Sequence, residues 1–209
     1  MKTLQLRLVG ISAVLLSAIG CLPTVPLTDT LNDDVSMNTK TNWKQDISFD
    51  YSSDVSDTTY VPYDKDKNGS REGYQRCSIA PSAALQKMLK KYMCNKFAKL
   101  NHTRKVANVT IKFKDFWIEQ YSSDHMATQL LAPSLMYETC VAQAKMEVRL
   151  EKDTLNVIKI LSTSTKMEVR LENNCKQGAS IELVHAKNIN DCFNKLIILL
   201  NSFLEENHL

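Results

Sequence analysis

Two segments with helical hydrophobic periodicity flank a stretch in which apolar and polar residues alternate, and this order constrains the fold most strongly. Apolar residues recur at three- and four-residue steps from Leu85 to Leu100 and again from Ile189 to Leu204. Between these segments, residues 106–121, 136–150 and 154–171 show the period of two that is typical of strands. Each helix is apolar on one side only, so it needs an apolar surface, which alternating strands provide.

The periodicities predict an α+β fold: a single antiparallel or mixed sheet of four to five strands with two amphipathic helices packed on one face. Residues 43–51 are predicted to form the first strand, residues 181–184 a short edge strand, and residues 188–206 the second helix. The alternation breaks phase at residues 115–118, which indicates a β-bulge or a stretch covered on both faces. Candidate helix caps are Ser78 or Ser82 for the first helix and Asn188 or Asn190 for the second.

The heptapeptide KMEVRLE occurs twice, at residues 145–151 and at residues 166–172. The identity does not extend on either side, so it does not indicate a solenoid. Its pattern is that of a strand with one apolar and one zwitterionic face, whose opposite charges can pair across neighbouring strands.

The first twenty residues have the features of a signal peptide. Lys2 and Arg7 are the only early charges, and residues 8–20 contain none. As a helix, this uncharged run would rise only about 20 Å, less than the ~30 Å hydrocarbon core of a bilayer. We therefore predict that residues 1–20 are removed on export.

Ala18-Ile19-Gly20-Cys21 resembles the lipobox of bacterial prolipoproteins. The resemblance implies cleavage before Cys21, a diacylglycerol on its thiol and an acylated new N-terminus, which together give effectively permanent membrane attachment. Leu22 follows the cysteine where an aspartate would resemble the inner-membrane retention signal, so the outer membrane is favoured. The alternative is an ordinary signal peptidase site at Ala18 and Gly20, which would leave Cys21 unmodified.

About 190 residues remain after cleavage, enough for one domain with a core. We predict a flexible lipid-anchored tether at residues 21–42 and a single α+β domain at 43–209 with a polar loop at 52–77. Removing Lys2 and Arg7 from the 26 basic residues leaves 24 against 23 acidic ones, a net charge of about +1. This balance predicts no nucleic-acid partner.

Five cysteines remain if Cys21 is lipidated, so at most two disulfides can form, and their pairing cannot be derived from the sequence. The positions Cys94 and Cys192 lie near the apolar faces of the helices and fit small core residues. No catalytic motif and no zinc spacing occurs, so we predict a protein that is not an enzyme and carries no cofactor. Besides Cys94 and Cys192, the five cysteines that would remain after lipidation of Cys21 are Cys77, Cys140 and Cys175.

Two candidate sites remain. The segment 64–75 resembles the first half of an EF-hand loop, with possible calcium ligands at Asp64, Asp66, Asn68, Ser70 and Glu72. Gln75 replaces the bidentate glutamate of that family and Pro62 opposes an entering helix, so a charged turn is the favoured interpretation and any calcium affinity would be weak. The second candidate is an interaction surface next to the loop 122–134, formed by Phe116, Trp117, Tyr121 and His125. Its alternative is that Phe116 and Trp117 divide between the core and a sheet edge.

With its lipobox, tether and strand–helix–strands–helix order, the whole chain resembles the small YajG-type and transporter-auxiliary envelope lipoproteins. That resemblance implies a non-catalytic module in the bacterial cell envelope that binds another envelope protein. The alternative function is a ligand-binding protein, secreted or lipidated, for a small envelope molecule or for calcium.

Overall fold

The computed structural model describes residue 25 and residues 27–28, 30–31, 46–57, 59–60, 63–64, 69–70, 77–97, 99–100, 106–122, 137–170 and 177–209. The long strands are β1 (Asp46–Ser53), β7 (Ala107–Ser122), β8 (Tyr137–Lys152) and β9 (Leu155–Arg170), and the helices are α1 (Pro81–Lys96) and α2 (Gln177–Glu206). Five two-residue strands complete the described elements: β2 (Thr59–Tyr60), β3 (Tyr63–Asp64), β4 (Gly69–Ser70), β5 (Cys77–Ser78) and β6 (Lys99–Leu100).

The long strands form one mixed sheet in the order β1-β7-β8-β9. β1 and β7 are parallel, with α1 in the connection between them, whereas β7, β8 and β9 form an antiparallel meander. β6 pairs in parallel with the start of β1, β3 pairs with β7 at Glu119, and β4 pairs with β3. The predicted α+β fold is confirmed.

Both helices pack on the same face of the sheet and share one core with it. Phe113 of β7 meets Phe193 of α2 edge-to-face, with ring centroids 6.0 Å apart. From α1, the fully buried residues of this core are Leu85, Met88, Leu89, Tyr92 and Met93. We call the opposite face of the sheet the open face; it carries Lys112, Trp117, Lys145, Arg149 and Ile160, among others.

The first helix begins without a side-chain cap of its own. Ala80 is at the N-cap, and Pro81 at the first helical position needs no N–H partner. The carboxylate of Asp57 accepts the N–H groups of Ser82, at 2.8 Å, and Ala83, at 3.2 Å. The prediction that Ser78 or Ser82 caps α1 is therefore wrong, because a carboxylate from a distant loop occupies that position.

The second helix starts at Gln177, earlier than predicted, and includes the residues expected to form an edge strand at 181–184. Asn188 and Asn190 consequently lie inside the helix and do not cap it. His185 and Asn188 continue the buried stripe of α2 towards its N-terminus, at 3% and 1% exposure. Because these two core residues are polar, the apolar periodicity begins only at Ile189, twelve residues after the helix itself has begun.

Five residues of the predicted tether lie within the described part of the chain, and two of them enter the core. Val25 is 3% exposed and Leu31 is 8% exposed. The Val25 N–H donates to the Ser78 carbonyl at 3.0 Å, and the Asn190 amide donates to the Thr28 hydroxyl at 2.8 Å. The flexibility of the rest of residues 21–42 remains a prediction, and Cys21 lies outside the described residues.

The polar loop predicted at residues 52–77 contains the three short strands β2 to β4; its first two residues belong to β1 and its last residue begins β5. Cys192 is buried, as its predicted core role requires, whereas Cys94 is exposed, so the prediction that it is a core residue is wrong. Cys140 is buried as well. The Cys77 side chain and Cys175 lie outside what the structure describes. Neither described helix has the length and the apolar composition needed to cross a bilayer.

Candidate functional site

A β-bulge at Lys114 determines which residues of β7 reach the open face. Phe113 pairs with Met146 and Asp115 pairs with Lys145, so the register shifts by one residue between them. If β7 alternated strictly after Phe113, Phe116 would face the open face and Trp117 would face the core. The bulge predicted from the phase break is confirmed.

The adjacent residues Phe116 and Trp117 of the predicted aromatic cluster lie on opposite faces of β7. Phe116 is 6% exposed and packs against Phe113 and Phe193, with centroid separations of 6.2 and 5.8 Å. Trp117 is half-buried on the open face. The Tyr121 backbone belongs to β7, but its side chain, His125 and residues 123–136 lie outside the described part of the chain.

Trp117 borders a groove on the open face with a volume of about 380 Å³. Two rows of paired residues cross three strands here: Asp115, Lys145 and Ser162 in one row, and Trp117, Gln143 and Ser164 in the next. The lining therefore combines an aromatic face with an amide, two hydroxyls and charges of both signs. Such a surface can form hydrogen bonds and stack against a partner, and its described lining residues include no histidine or cysteine.

Four residues that line the groove were not predicted as site residues from the sequence: Gln143, Lys145, Ser162 and Ser164. The Asp153–Thr154 turn fixes the β8–β9 pairs Lys145–Ser162 and Gln143–Ser164, because a two-residue hairpin sets every later pair. Their position beside Trp117 depends on the register of β7 against β8, which this turn does not set. Their individual types, serine, lysine and glutamine, are common on any solvated strand and give no signal alone.

Two lysines on the same face form ion pairs with a single carboxylate. Asp54, directly after β1, accepts ion pairs from Lys112 at 2.9 Å and Lys114 at 3.1 Å. Hydrogen bonds from these two lysines hold the pKa of Asp54 below its ordinary value. The partners are exposed, so the cluster organises surface charge and contributes little to stability.

Two isoleucines of β9 continue the open face beyond the groove. Ile158 and Ile160 are 59% and 57% exposed. They lie opposite Arg149 and Glu147 of β8, so two apolar side chains border a charged strand. In the KMEVRLE repeat, the Arg149–Glu151 ion pair runs along β8 and the Lys166–Glu168 ion pair runs along β9. Across strands, Lys145 lies opposite Asp115 and Glu147 lies opposite Lys112 of β7.

The predicted calcium loop is described only in part. Asp64 and Gly69 are paired residues of the β3–β4 hairpin, as are Tyr63 and Ser70. Asp66, Asn68 and Glu72 lie outside the described residues, so calcium binding remains a prediction that calorimetric titration of the chain with Ca²⁺ tests. Among the described residues, no group of three or more His, Cys, Asp or Glu side chains is placed to hold a metal ion.

A buried Cys–His contact lies on the core face of the sheet. The His185 Nε2 is 3.6 Å from the Cys140 Sγ and 3.1 Å from the Gln120 Oε1. Burial lowers the pKa of His185 to about 4, so the imidazole is neutral at pH 7. Cys140 is 0% exposed, so no substrate can reach its sulfur, and the contact is part of the core.

No family model matches the sequence, and no curated protein is similar to it. The chain is similar in structure to rare lipoprotein B from Shewanella oneidensis, with 8% sequence identity, a TM-score of 0.48, and coverage of 78% of this chain and 99% of that one. It is also similar to a minor lipoprotein from Acinetobacter baumannii, with 6% identity, a TM-score of 0.41, and coverage of 79% and 93%. Both TM-scores are below 0.5, so these similarities define neither a family nor a function for this chain.

Proposed function

We propose that this chain is a non-catalytic accessory lipoprotein of the bacterial cell envelope that binds another envelope protein through the open face of its sheet. The observation that carries the proposal is the groove beside the bulge, where the half-buried Trp117 is surrounded by polar and charged side chains. An aromatic anchor within a polar rim is typical of protein-binding surfaces.

The lipid anchor in this proposal rests on the resemblance of residues 18–21 to a lipobox. The preference for a protein partner rests on the shape of the open face. The groove is shallow and continues into the exposed Ile158 and Ile160, whereas small-molecule sites are concave and enclose most of their ligand.

Site-directed photo-crosslinking of the full chain in its envelope tests the docking surface. A crosslinking residue at Ser164, in the groove, should give a discrete adduct with one envelope protein. The same residue at Gln86, exposed on α1, should give none. Equal adducts at both positions would contradict docking through the groove.

Trp117→Ala should remove the adduct at Ser164, because the variant loses the aromatic anchor and keeps the buried core intact. Leu183→Ala is the matched control, since Leu183 is 61% exposed and lies on α2, away from the open face. Deletion of residues 122–134 tests the neighbouring loop separately: an adduct that survives it would assign binding to the strand surface alone. Recovery of an undiminished adduct with Trp117→Ala would reject the proposed role of the groove.

A further inference from the structure

The outer surface of the two helices carries an excess of positive charge. α1 contains no acidic residue, and three of its lysines are exposed: Lys87, Lys90 and Lys91. On α2, Lys187 and Lys195 are exposed as well. Because both helices pack on the same face of the sheet, their exposed lysines lie on one side of the domain. We call this surface the basic helix face.

The acidic residues of the helices do not balance this charge. Glu205 forms an ion pair with Lys96 at 3.6 Å. Glu206 forms one with Lys159 at 3.0 Å. Among the helix acids whose side chains the structure describes, this leaves Asp191, which is half-buried. The five exposed lysines against this one aspartate give the basic helix face a local charge of about +4, although the chain after cleavage has a predicted charge of about +1.

Exposed apolar side chains lie among the lysines of α2. Leu183, Ile198 and Leu199 are 61%, 38% and 39% exposed. Lysines together with exposed leucine and isoleucine on a helix surface are typical of proteins that lie on an anionic membrane. There the apolar groups enter the interface and the lysines contact the lipid phosphates.

The chain leads towards its predicted lipid anchor from the same side of the domain. The Val25 N–H donates to the Ser78 carbonyl, three residues before α1, and the Thr28 hydroxyl accepts from Asn190 of α2. Cys21 is four residues before Val25, so an extended chain places it within about 14 Å of that point. A lipid on Cys21 would therefore hold the helix side of the domain towards the bilayer.

We propose that the basic helix face lies on an anionic lipid surface and thereby directs the open face of the sheet away from the membrane. The local positive charge, the exposed apolar side chains and the position of Val25 favour the same orientation. The occupant of this face is a bilayer with anionic headgroups, which attracts clustered lysines by charge and admits leucine and isoleucine at its interface. The opposite side of the domain then remains accessible to a protein partner.

Photo-crosslinking to lipid tests this orientation. The mature chain, as a Gram-negative host exports it, is reconstituted with vesicles of phosphatidylcholine, either alone or mixed with phosphatidylglycerol. It carries the crosslinking residue at Gln86, on α1, or at Ser164, on the open face. In vesicles with phosphatidylglycerol, lipid adducts identified by mass should form at Gln86 and be scarce at Ser164. The yield at Gln86 should fall in phosphatidylcholine alone and at high salt, because salt screens the attraction.

Two sets of substitutions show whether the lysines cause this orientation. The test variant replaces the three exposed lysines of α1 together: Lys87→Gln, Lys90→Gln and Lys91→Gln. It should lower the adduct yield at Gln86 by about tenfold or more, because each lysine near an anionic surface shifts the equilibrium about fivefold. The matched control, which should leave the yield unchanged, removes three lysines of the open face: Lys112→Gln, Lys145→Gln and Lys166→Gln. Thermal melts of both variants show whether the fold is kept, and the salt and lipid comparisons on the wild-type chain need no variant.

The two parts of the proposal can fail separately. Equal yields of lipid adduct at Gln86 and Ser164, or a larger yield at Ser164, would overturn the proposed orientation. A yield at Gln86 that changes neither with phosphatidylglycerol nor with the lysine substitutions would overturn the role of the charge. Neither outcome bears on the groove at Trp117, because that proposal is tested by adducts with a protein and not with lipid.

Discussion

At the residue scale, His185 links the stability of the domain to pH. Burial lowers its pKa from the ordinary value of 6.5 to about 4, so the unfolded chain binds more protons than the folded chain between these values. Its contribution to stability is complete above about pH 6.5 and is lost as the pH falls through about 4. The difference corresponds to about 3 kcal/mol of unfolding free energy.

Denaturant unfolding of wild type and His185→Gln at pH 7 and pH 4.5 measures this effect. The wild-type chain should lose more unfolding free energy between the two pH values than the variant, by an amount on the order of 2 kcal/mol. Parallel pH profiles for the two proteins would show that His185 already titrates normally in the folded state.

Asn201 connects the two helices through a buried polar network. Its Oδ1 accepts from the Tyr92 hydroxyl at 2.8 Å and from the Lys96 ammonium at 2.7 Å, and its amide donates to Glu205 at 2.9 Å. Asn201→Ala removes the acceptor shared by two buried donors and should cost about 2–4 kcal/mol of unfolding free energy. Asn95→Ala, at an exposed position of α1, should change it by less than about 0.5 kcal/mol. If the losses of unfolding free energy in Asn201→Ala and Asn95→Ala differ by less than about 1 kcal/mol, water has taken the place of the Asn201 side chain as hydrogen-bond partner.

At the element scale, α1 depends on Asp57 for its N-terminal cap. The Asp57 carboxylate binds the N–H groups of Ser82 and Ala83 and also places negative charge at the positive end of the helix dipole. Asp57→Ala should therefore lower the unfolding free energy by about 1 kcal/mol. Asp57→Asn keeps an acceptor and should lose less; thermal melts of the two variants side by side decide this. Equal losses would assign the effect to charge alone.

Sequence periodicity predicted most elements because their inward residues are apolar. The meander β7–β8–β9 and residues 188–206 of α2 follow directly from alternating or helical spacing, and the phase break at Asp115 predicted the bulge. Residues 177–187, about the first third of α2, were missed for a physical reason. Asn188 donates to the Cys140 and Thr165 carbonyls at 3.0 and 3.4 Å, so the sheet satisfies a polar residue where the pattern expects an apolar one.

The candidate site was harder to predict than the fold. Trp117 was identified, but the sequence alone does not show which of the adjacent residues Phe116 and Trp117 reaches the open face, because the register shift at the bulge decides it. The groove combines single residues from three strands, and none carries a motif. The parallel pairing of β1 with β7 is likewise a tertiary choice, since both strands alternate in the same way in either direction.

At the scale of the whole molecule, membrane attachment is predicted to depend on one sulfur atom. The intact mass of the chain produced in a Gram-negative host should correspond to a protein that starts at Cys21 and carries diacyl or triacyl groups. Cys21→Ser should lack this mass and should be recovered in the soluble fraction. An unmodified wild-type chain cut near the same position would indicate a freely secreted protein and would make disulfide mapping the next step.

The hydrogen bond between Val25 and Ser78 limits how far the domain can lie from the membrane. If Cys21 carries lipid, only three residues lie between the anchor and Val25, which is fixed to the fold, and four extended Cα–Cα steps span about 14 Å. The sixteen-residue strands are about 53 Å long. The domain is then held at a short distance from the bilayer and cannot move far from it. Whatever meets its open face must do so within roughly 70 Å of the bilayer surface.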